Sequence, residues 1–139
     1  MRHAKRKYKL GRTGSHKRAM IANMLKDLID HERIETSLIK AKELKRHADK
    51  MITLAKKDTL ASKRMAISKL RLQYNHLTPK EARKAKDGDT SAYNTDRKVL
   101  NKLFALKQRY ETREGGYTRI IRKSFQVGDS SPTCILEYI

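Results

Sequence analysis

The sequence predicts a helix-rich α+β domain with a small sheet, one short N-terminal strand plus a C-terminal hairpin, and a basic N-terminal arm. Three observations carry that reading. Apolar residues recur at helical spacing through much of residues 15–110, the period changes to two from Tyr117 onward, and the first 26 residues contain no acid. The chain has 139 residues, which fits one domain able to bury roughly two thirds of its unfolded surface. The expected organisation is an extended arm over 1–14 and a single domain over 15–139, with a surface insertion at about 73–96.

The arm carries Arg2, Lys5, Arg6, Lys7, Lys9 and Arg12, with His3 among them. Its only large apolar residues up to Thr13, apart from Met1, are Tyr8 and Leu10, too little area to offset the entropy of ordering the chain. The alternatives are a disordered tail and a mitochondrial presequence, but no amphipathic stripe precedes Met20. An anion-binding arm fits the charge density best.

Ser15 is a candidate N-cap for the first helix, whose stripe is Met20, Ile21, Met24, Leu25, Leu28 and Ile29, closed by His31-Glu32. Arg33-Ile34-Glu35-Thr36-Ser37 alternates and reads as a short strand. Thr36 or Ser37 caps a second helix with Ala41, Leu44, Ala48, Met51, Ile52 and Ala55 inside, and Lys40, Lys42, Lys45, Arg46 and Lys50 outside. Asp58 or Thr59 caps a third, with Leu60, Ile67, Leu70 and Tyr74 as its apolar positions. Period fails from about Asn75 to Thr95, where Thr78-Pro79-Lys80-Glu81 forms a capping box with Pro at the first helical position. A further helix follows on Val99, Leu100, Leu103, Phe104, Leu106 and Tyr110, with Gly115-Gly116 as its stop. Tyr117–Phe125 and Thr133–Ile139 are β-rich and flank the turn-forming run Gly128-Asp129-Ser130-Ser131-Pro132.

Charge narrows the function. Lys and Arg number 34 against 15 Asp and Glu, a net +19, so a polyanion is the expected partner. No stretch approaches the ~18 apolar residues of a membrane span, and no leader-like apolar region follows the N-terminus. The single Cys excludes an intrachain disulfide framework or multi-Cys zinc site and suits a reducing interior. Histidines at 3, 16, 31, 47 and 76 are too scattered for paired metal ligation, and no phosphate loop is present. No catalysis, cofactor, metal or small-molecule substrate is expected.

The opening Met1-Arg2-His3, the run Ser15-His16-Lys17-Arg18-Ala19-Met20 with Asn23-Met24, and Lys40-Ala41-Lys42-Glu43-Leu44 resemble the bacterial large-subunit ribosomal protein L-seventeen family. So do Leu28, His31-Glu32, Ile34, Thr36 and Ile52-Thr53-Leu54-Ala55-Lys56. At the other end the match continues through Gly115-Gly116-Tyr117-Thr118-Arg119-Ile120, Phe125, Gly128-Asp129, Pro132 and Glu137. From about Leu72 to Asp96 the chain departs from the family's usual pattern. The resemblance implies a two-layer α+β fold and a structural role in the cytoplasmic large ribosomal subunit. The implied partners are large-subunit rRNA and neighbouring ribosomal proteins near the peptide exit.

Lys and Arg meet phosphate oxygens as point charges and forked donors respectively. The expected RNA-binding residues are therefore the arm cations and His3, then Ser15, His16, Lys17 and Arg18, where a helix start adds free backbone N–H groups. Lys40 and Lys42 on the second helix join them, as do Arg113, Arg119, Arg122 and Lys123 around the hairpin. Tyr117 is either a stacking platform for a base or a core residue. The rival classes are a DNA-compacting protein, for which no helix-turn-helix or zinc-finger pattern shows, and a membrane-surface protein, for which the first helix is weakly suited.

Overall fold

The computed structural model describes Tyr8 and residues 10–139. Arg2, His3, Lys5, Arg6, Lys7 and Lys9 lie outside the described residues, and most of the arm with them. The helices are α1 (Gly14–His31), α2 (Leu38–Lys57), α3 (Leu60–Leu70), α4 (Pro79–Lys86) and α5 (Thr95–Leu106). The strands are β1 (Arg33–Ser37), β2 (Thr118–Phe125) and β3 (Pro132–Tyr138). Together they form an α+β fold in which helices cover one face of an antiparallel sheet of order β1-β3-β2.

The last strand lies in the middle. β3 sets Leu136 opposite both Ile34 and Ile120, and Cys134 opposite Thr36. Its alternate residues Cys134, Leu136 and Tyr138 are buried. This is the period-two pattern of a sheet with one face on the core. Burial pushes the Cys134 thiol pKa up, and its Sγ donates to the Thr36 carbonyl at 3.4 Å. From Ile121 to Ser130 every residue is exposed, so this end of the hairpin extends past the helices that cover its root.

α2 is the central element. Ala41, Leu44, Ala48, Met51, Ile52 and Ala55 are all buried, the small alanines allowing close approach of its neighbours. α1 adds Ile21, Leu25, Leu28 and Ile29, while Met20 and Met24 are only partly covered. Buried Thr118 Oγ1 donates to Asp49 Oδ1 at 2.9 Å, which ties β2 to α2.

Four local expectations change. Ser15 is not the cap of α1: the helix begins at Gly14, Thr13 holds the extended N-cap backbone, and the Thr13 carbonyl takes the Lys17 N–H at 2.8 Å. The buried side of α3 is Ser62, Ala66 and Leu70, because the Thr59–Ser62 capping box turns Leu60 out to solvent. Tyr74 lies beyond that helix. α5 ends at Leu106, ahead of Gly115-Gly116. The chain tightens there into a 3-10 turn, Lys107–Tyr110, that brings the Tyr110 ring into the core.

Between α3 and α5 the chain makes an excursion in which none of residues 73–96 is buried. Polar contacts order it instead. The Arg97 guanidinium lies over the Tyr74 and Tyr93 rings at 4.5 and 5.3 Å and donates to Asn75 Oδ1 and the Asn75 carbonyl. Asn94 Nδ2 donates to the Gln73 carbonyl at 2.6 Å, closing the base of the loop. The Thr78–Glu81 capping box starts α4 within it.

Candidate nucleic-acid interface

At the root of the arm, the first turn of α1 has no acid and no side-chain cap. Its leading N–H groups lack intrahelical acceptors, as at any helix start, and Ser15 and His16 in this turn are exposed. Arg12 and Arg18 are exposed as well. Lys17 differs from its neighbours. Its Nζ lies 2.9 Å from buried Glu43 Oε1 and donates to the Tyr8 carbonyl, so its ammonium is engaged inside the domain.

The two lysines expected together on α2 point to different surroundings, being two residues apart on a helix. Lys40 borders a shallow depression that also contains Asp27 and Glu35, a surface of mixed charge. Lys42 lies on the same ridge as Arg46 and Lys50, at i, i+4 and i+8. These three make no ion pair or hydrogen bond among the described residues.

That ridge runs into a cleft between α1, α2 and the end of α3, with a volume of about 470 Å³. Arg18, His47, Lys50, Lys69 and Arg71 line it, with Ser68 at the mouth and Ile21, Leu25 and Met51 beneath; no acid takes part. Sequence reading named Arg18 as a candidate, gave Lys50 only as part of the outer face of α2, and missed His47, Lys69 and Arg71. Only the packing of three helices assembles them, and the sole signal was the basic character of the end of α3.

Several cations on other faces are paired with acids. Near α5, Lys102 meets Asp30 at 2.5 Å, Arg109 meets Glu32 at 2.7 Å, and Lys107 pairs with Asp58. The Lys102 hydrogen bond holds the Asp30 carboxyl below its ordinary pKa, and the Lys107 and Lys63 hydrogen bonds do the same for Asp58. On the outer face of the sheet Arg119 pairs with Glu137 at 2.5 Å, and Lys123 pairs with Glu35 at 2.8 Å. Arg122 is exposed and makes no such pair among the described residues. Arg113 donates from Nε to the Gly115 carbonyl at 3.0 Å. Arg18, Lys42, Arg46, Lys50, Lys69 and Arg71 gather on the α1–α2–α3 side without an ion pair among the described residues.

Tyr117 is a core residue, which corrects its place among the RNA-binding candidates. It is 2% exposed, its ring meets Tyr110 edge-on at 5.2 Å, and its hydroxyl donates to the Arg113 carbonyl at 3.1 Å. A ring enclosed in this way offers no face to a base. Among the described residues no cluster of His, Cys, Asp and Glu could hold a metal ion, and no helix is long and apolar enough to cross a membrane.

Comparison with known proteins gives a consistent result. The sequence matches the family described as Ribosomal protein L17 over residues 20–139. It is 60% identical over 140 aligned positions to large ribosomal subunit protein bL17 of Chlamydia abortus and of Chlamydia pneumoniae. It is 59% identical to the protein of the same name from Chlamydia trachomatis serovar D. Each alignment covers 100% of this chain and 99% of the relative. With 140 aligned positions for 139 residues, the 73–96 excursion has a counterpart in these relatives.

Proposed function

We propose that this chain, which belongs to the Ribosomal protein L17 family and is a structural, non-catalytic component of the large ribosomal subunit, cytoplasmic in bacteria, binds rRNA through its arm and one basic side of the domain. The contact surface is the basic arm together with the start of α1, the Lys42–Arg46–Lys50 ridge and the cleft into which that ridge leads. The observation that carries this reading is the gathering of cations from three helices around one cleft whose lining includes no acid. Several cations near α5 and on the outer sheet face are held by acids, whereas Arg18, Lys42, Arg46, Lys50, Lys69 and Arg71 make no ion pair among the described residues. RNA helices present phosphates and a shallow groove read by shape, so such an unneutralised surface is what the fold needs to offer.

The exposed hairpin end, with Arg122 and the 69% exposed Phe125, and the excursion are the surfaces left for neighbouring ribosomal proteins near the peptide exit. Sedimentation of native lysate at moderate salt should place nearly all of the protein with large subunits. Replacing Arg18, Lys50, Lys69 and Arg71 by Gln should move it to the free pool without altering its melting temperature by more than a few degrees. Retention of that variant on washed subunits would overturn this choice of surface.

A further inference from the structure

The excursion over residues 73–96 sorts its charges by face. Its acids are largely committed to its own backbone. Glu81 accepts the Thr78 N–H at 2.8 Å, Asp89 accepts the Ser91 N–H at 3.0 Å, and Asp96 accepts the Gln73 N–H at 2.7 Å. The cations of α4 are not. Lys80, Arg83, Lys84 and Lys86 are exposed and make no ion pair or hydrogen bond among the described residues. Helical spacings of three and four set Lys80 beside Arg83 and Lys84, and Arg83 beside Lys86. Glu81, Ala82 and Ala85, on the opposite side of the helix, are half-buried.

This face is held in place and set apart from the other basic surface. Asn75 Nδ2 donates to the Ala92 carbonyl at 2.8 Å, which joins the two limbs of the excursion below α4. Pro79 at the first helical position and the Thr78–Glu81 capping box fix where the helix begins. Cations presented on such a support lose less freedom when they meet a partner. The excursion leaves the domain two residues after Arg71, which lines the cleft. Two cations at its base are engaged internally: Lys26 pairs with Asp96 at 2.9 Å, and Arg97 lies over Tyr74 and Tyr93. Along the chain, α4 is therefore joined to the cleft by a stem whose charges are already satisfied. Two basic surfaces joined in this way suit two separate stretches of polyanion better than one continuous stretch.

We infer that the exposed face of α4 is a second RNA-binding site, where Lys80, Arg83, Lys84 and Lys86 hold the phosphates of an RNA segment distinct from the one on the α1–α2–α3 side, so that the domain bridges the two. Arg and Lys on phosphates fix position without reading bases, so the site needs only a backbone within reach. Once one segment is bound, the second meets α4 at the effective concentration set by their tether. The inference rests on the RNA-binding reading above. It concerns one face of the excursion and leaves the other faces to protein neighbours.

The test loads the full chain onto a short immobilised RNA duplex of mixed sequence and measures capture of a second, fluorescent duplex across a salt series. The parent should capture it. Replacing Lys80, Arg83, Lys84 and Lys86 by Gln should leave binding to the first duplex as in the parent. The same variant should capture about tenfold less of the second duplex, and the salt slope of that step should flatten by roughly 3 to 4 units. Replacing the exposed Lys57, Arg64, Lys98 and Arg122 by Gln removes equal charge from other faces and should leave both steps unchanged. If the α4 variant does not fold, a Gly-Ser linker in place of residues 77–91 should lose the second step in the same way. Capture at the parent's level by the α4 variant overturns the site, as does an equal loss in the charge-matched control. A parent that binds one duplex but captures no second also overturns it. Polyglutamate that competes for the second step as well as RNA does would assign the face to an acidic protein segment and overturn the RNA site. A parent that fails to bind even the first duplex would instead overturn the broader reading.

Discussion

Lys17 Nζ and Glu43 Oε1 lie 2.9 Å apart between α1 and α2, with side chains only 11% and 4% exposed. The pair explains why one lysine in a row of otherwise exposed polar residues is withdrawn from solvent. It also fixes where the arm leaves the domain, since the same Nζ holds the Tyr8 carbonyl. Lys17→Met should therefore cost about 3 kcal/mol of stability, the cost of removing one partner from a buried pair. A phosphate contact would be worth about 0.7–0.9 in the salt slope of log affinity. Chemical denaturation together with a salt titration checks both numbers, and a lost slope with unchanged stability would return Lys17 to the RNA surface.

Asp96 bridges the excursion to the helices. It accepts the Gln73 N–H at 2.7 Å and the Lys26 ammonium at 2.9 Å. Burial works to raise its pKa, but those two donors prevail and hold it below the ordinary carboxylate value. A depressed folded-state pKa means that this stabilisation is complete above the unfolded value near 4 and is lost as pH falls through the lower folded value. Asp96→Asn should cost about 1–3 kcal/mol at neutral pH, speed amide exchange at Gln73 and flatten the acid limb of the stability curve. An unchanged acid limb would show that other carboxylates set it.

The excursion should be separable from the domain. Replacing residues 77–91 by a short Gly-Ser linker leaves Asn75, Asn94 and Arg97 to close the base and removes no buried side chain. Thermal melting should change by only a few degrees, and the shortened chain should still enter large subunits. Unfolding on deletion would make the segment part of the domain.

How much of this was legible from sequence depends on what each element uses for order. The inner face of α2 could be read because six apolar residues recur at spacings of three and four. In α3 the buried positions Ser62 and Ala66 are too polar or too small to register beside Leu70, while Leu60, which does register, is exposed. The excursion has no period because a guanidinium between two tyrosines replaces an apolar core. The cleft was invisible because no linear spacing joins Arg18 to Lys69, and no glycine marked the left-handed position at Arg71. Tyr117 shares strand parity with exposed Arg119, but it precedes the first residue of β2 and turns onto Tyr110.

The tyrosine cluster makes the correction at position 117 testable. Tyr110 stands between Tyr117 and Tyr138, with ring centroids 5.2 and 6.5 Å away. Tyr117→Ala should destabilise by about 3–5 kcal/mol, as for other buried aromatic truncations. Tyr117→Phe loses only the hydroxyl bond to the Arg113 carbonyl and should cost about 1 kcal/mol. Both variants, measured where they are folded, should bind RNA like the parent. A tenfold loss of affinity in Tyr117→Ala at full folding would restore the stacking role.

The arm should contribute electrostatics and little else. Arg2, Lys5, Arg6, Lys7, Lys9 and Arg12 are interrupted by no acid, and residues 1–13 hold almost no apolar area to pack against a partner. If each cation meets one phosphate, about six counterions are released, so removing residues 1–13 should flatten the salt slope of log affinity by roughly 4 to 5 units. Between about 50 and 200 mM salt, a slope of that size corresponds to roughly a thousandfold in affinity. Base-specific contacts would act differently, lowering affinity at every salt concentration with little effect on slope. A titration of the full and arm-deleted chains against large-subunit rRNA fragments distinguishes the two. Parallel slopes would mean that the arm's charges do not meet phosphates. The entire salt dependence would then fall to Arg18, Lys42, Arg46, Lys50, Lys69 and Arg71, which as six cations can sustain a slope of similar size on their own.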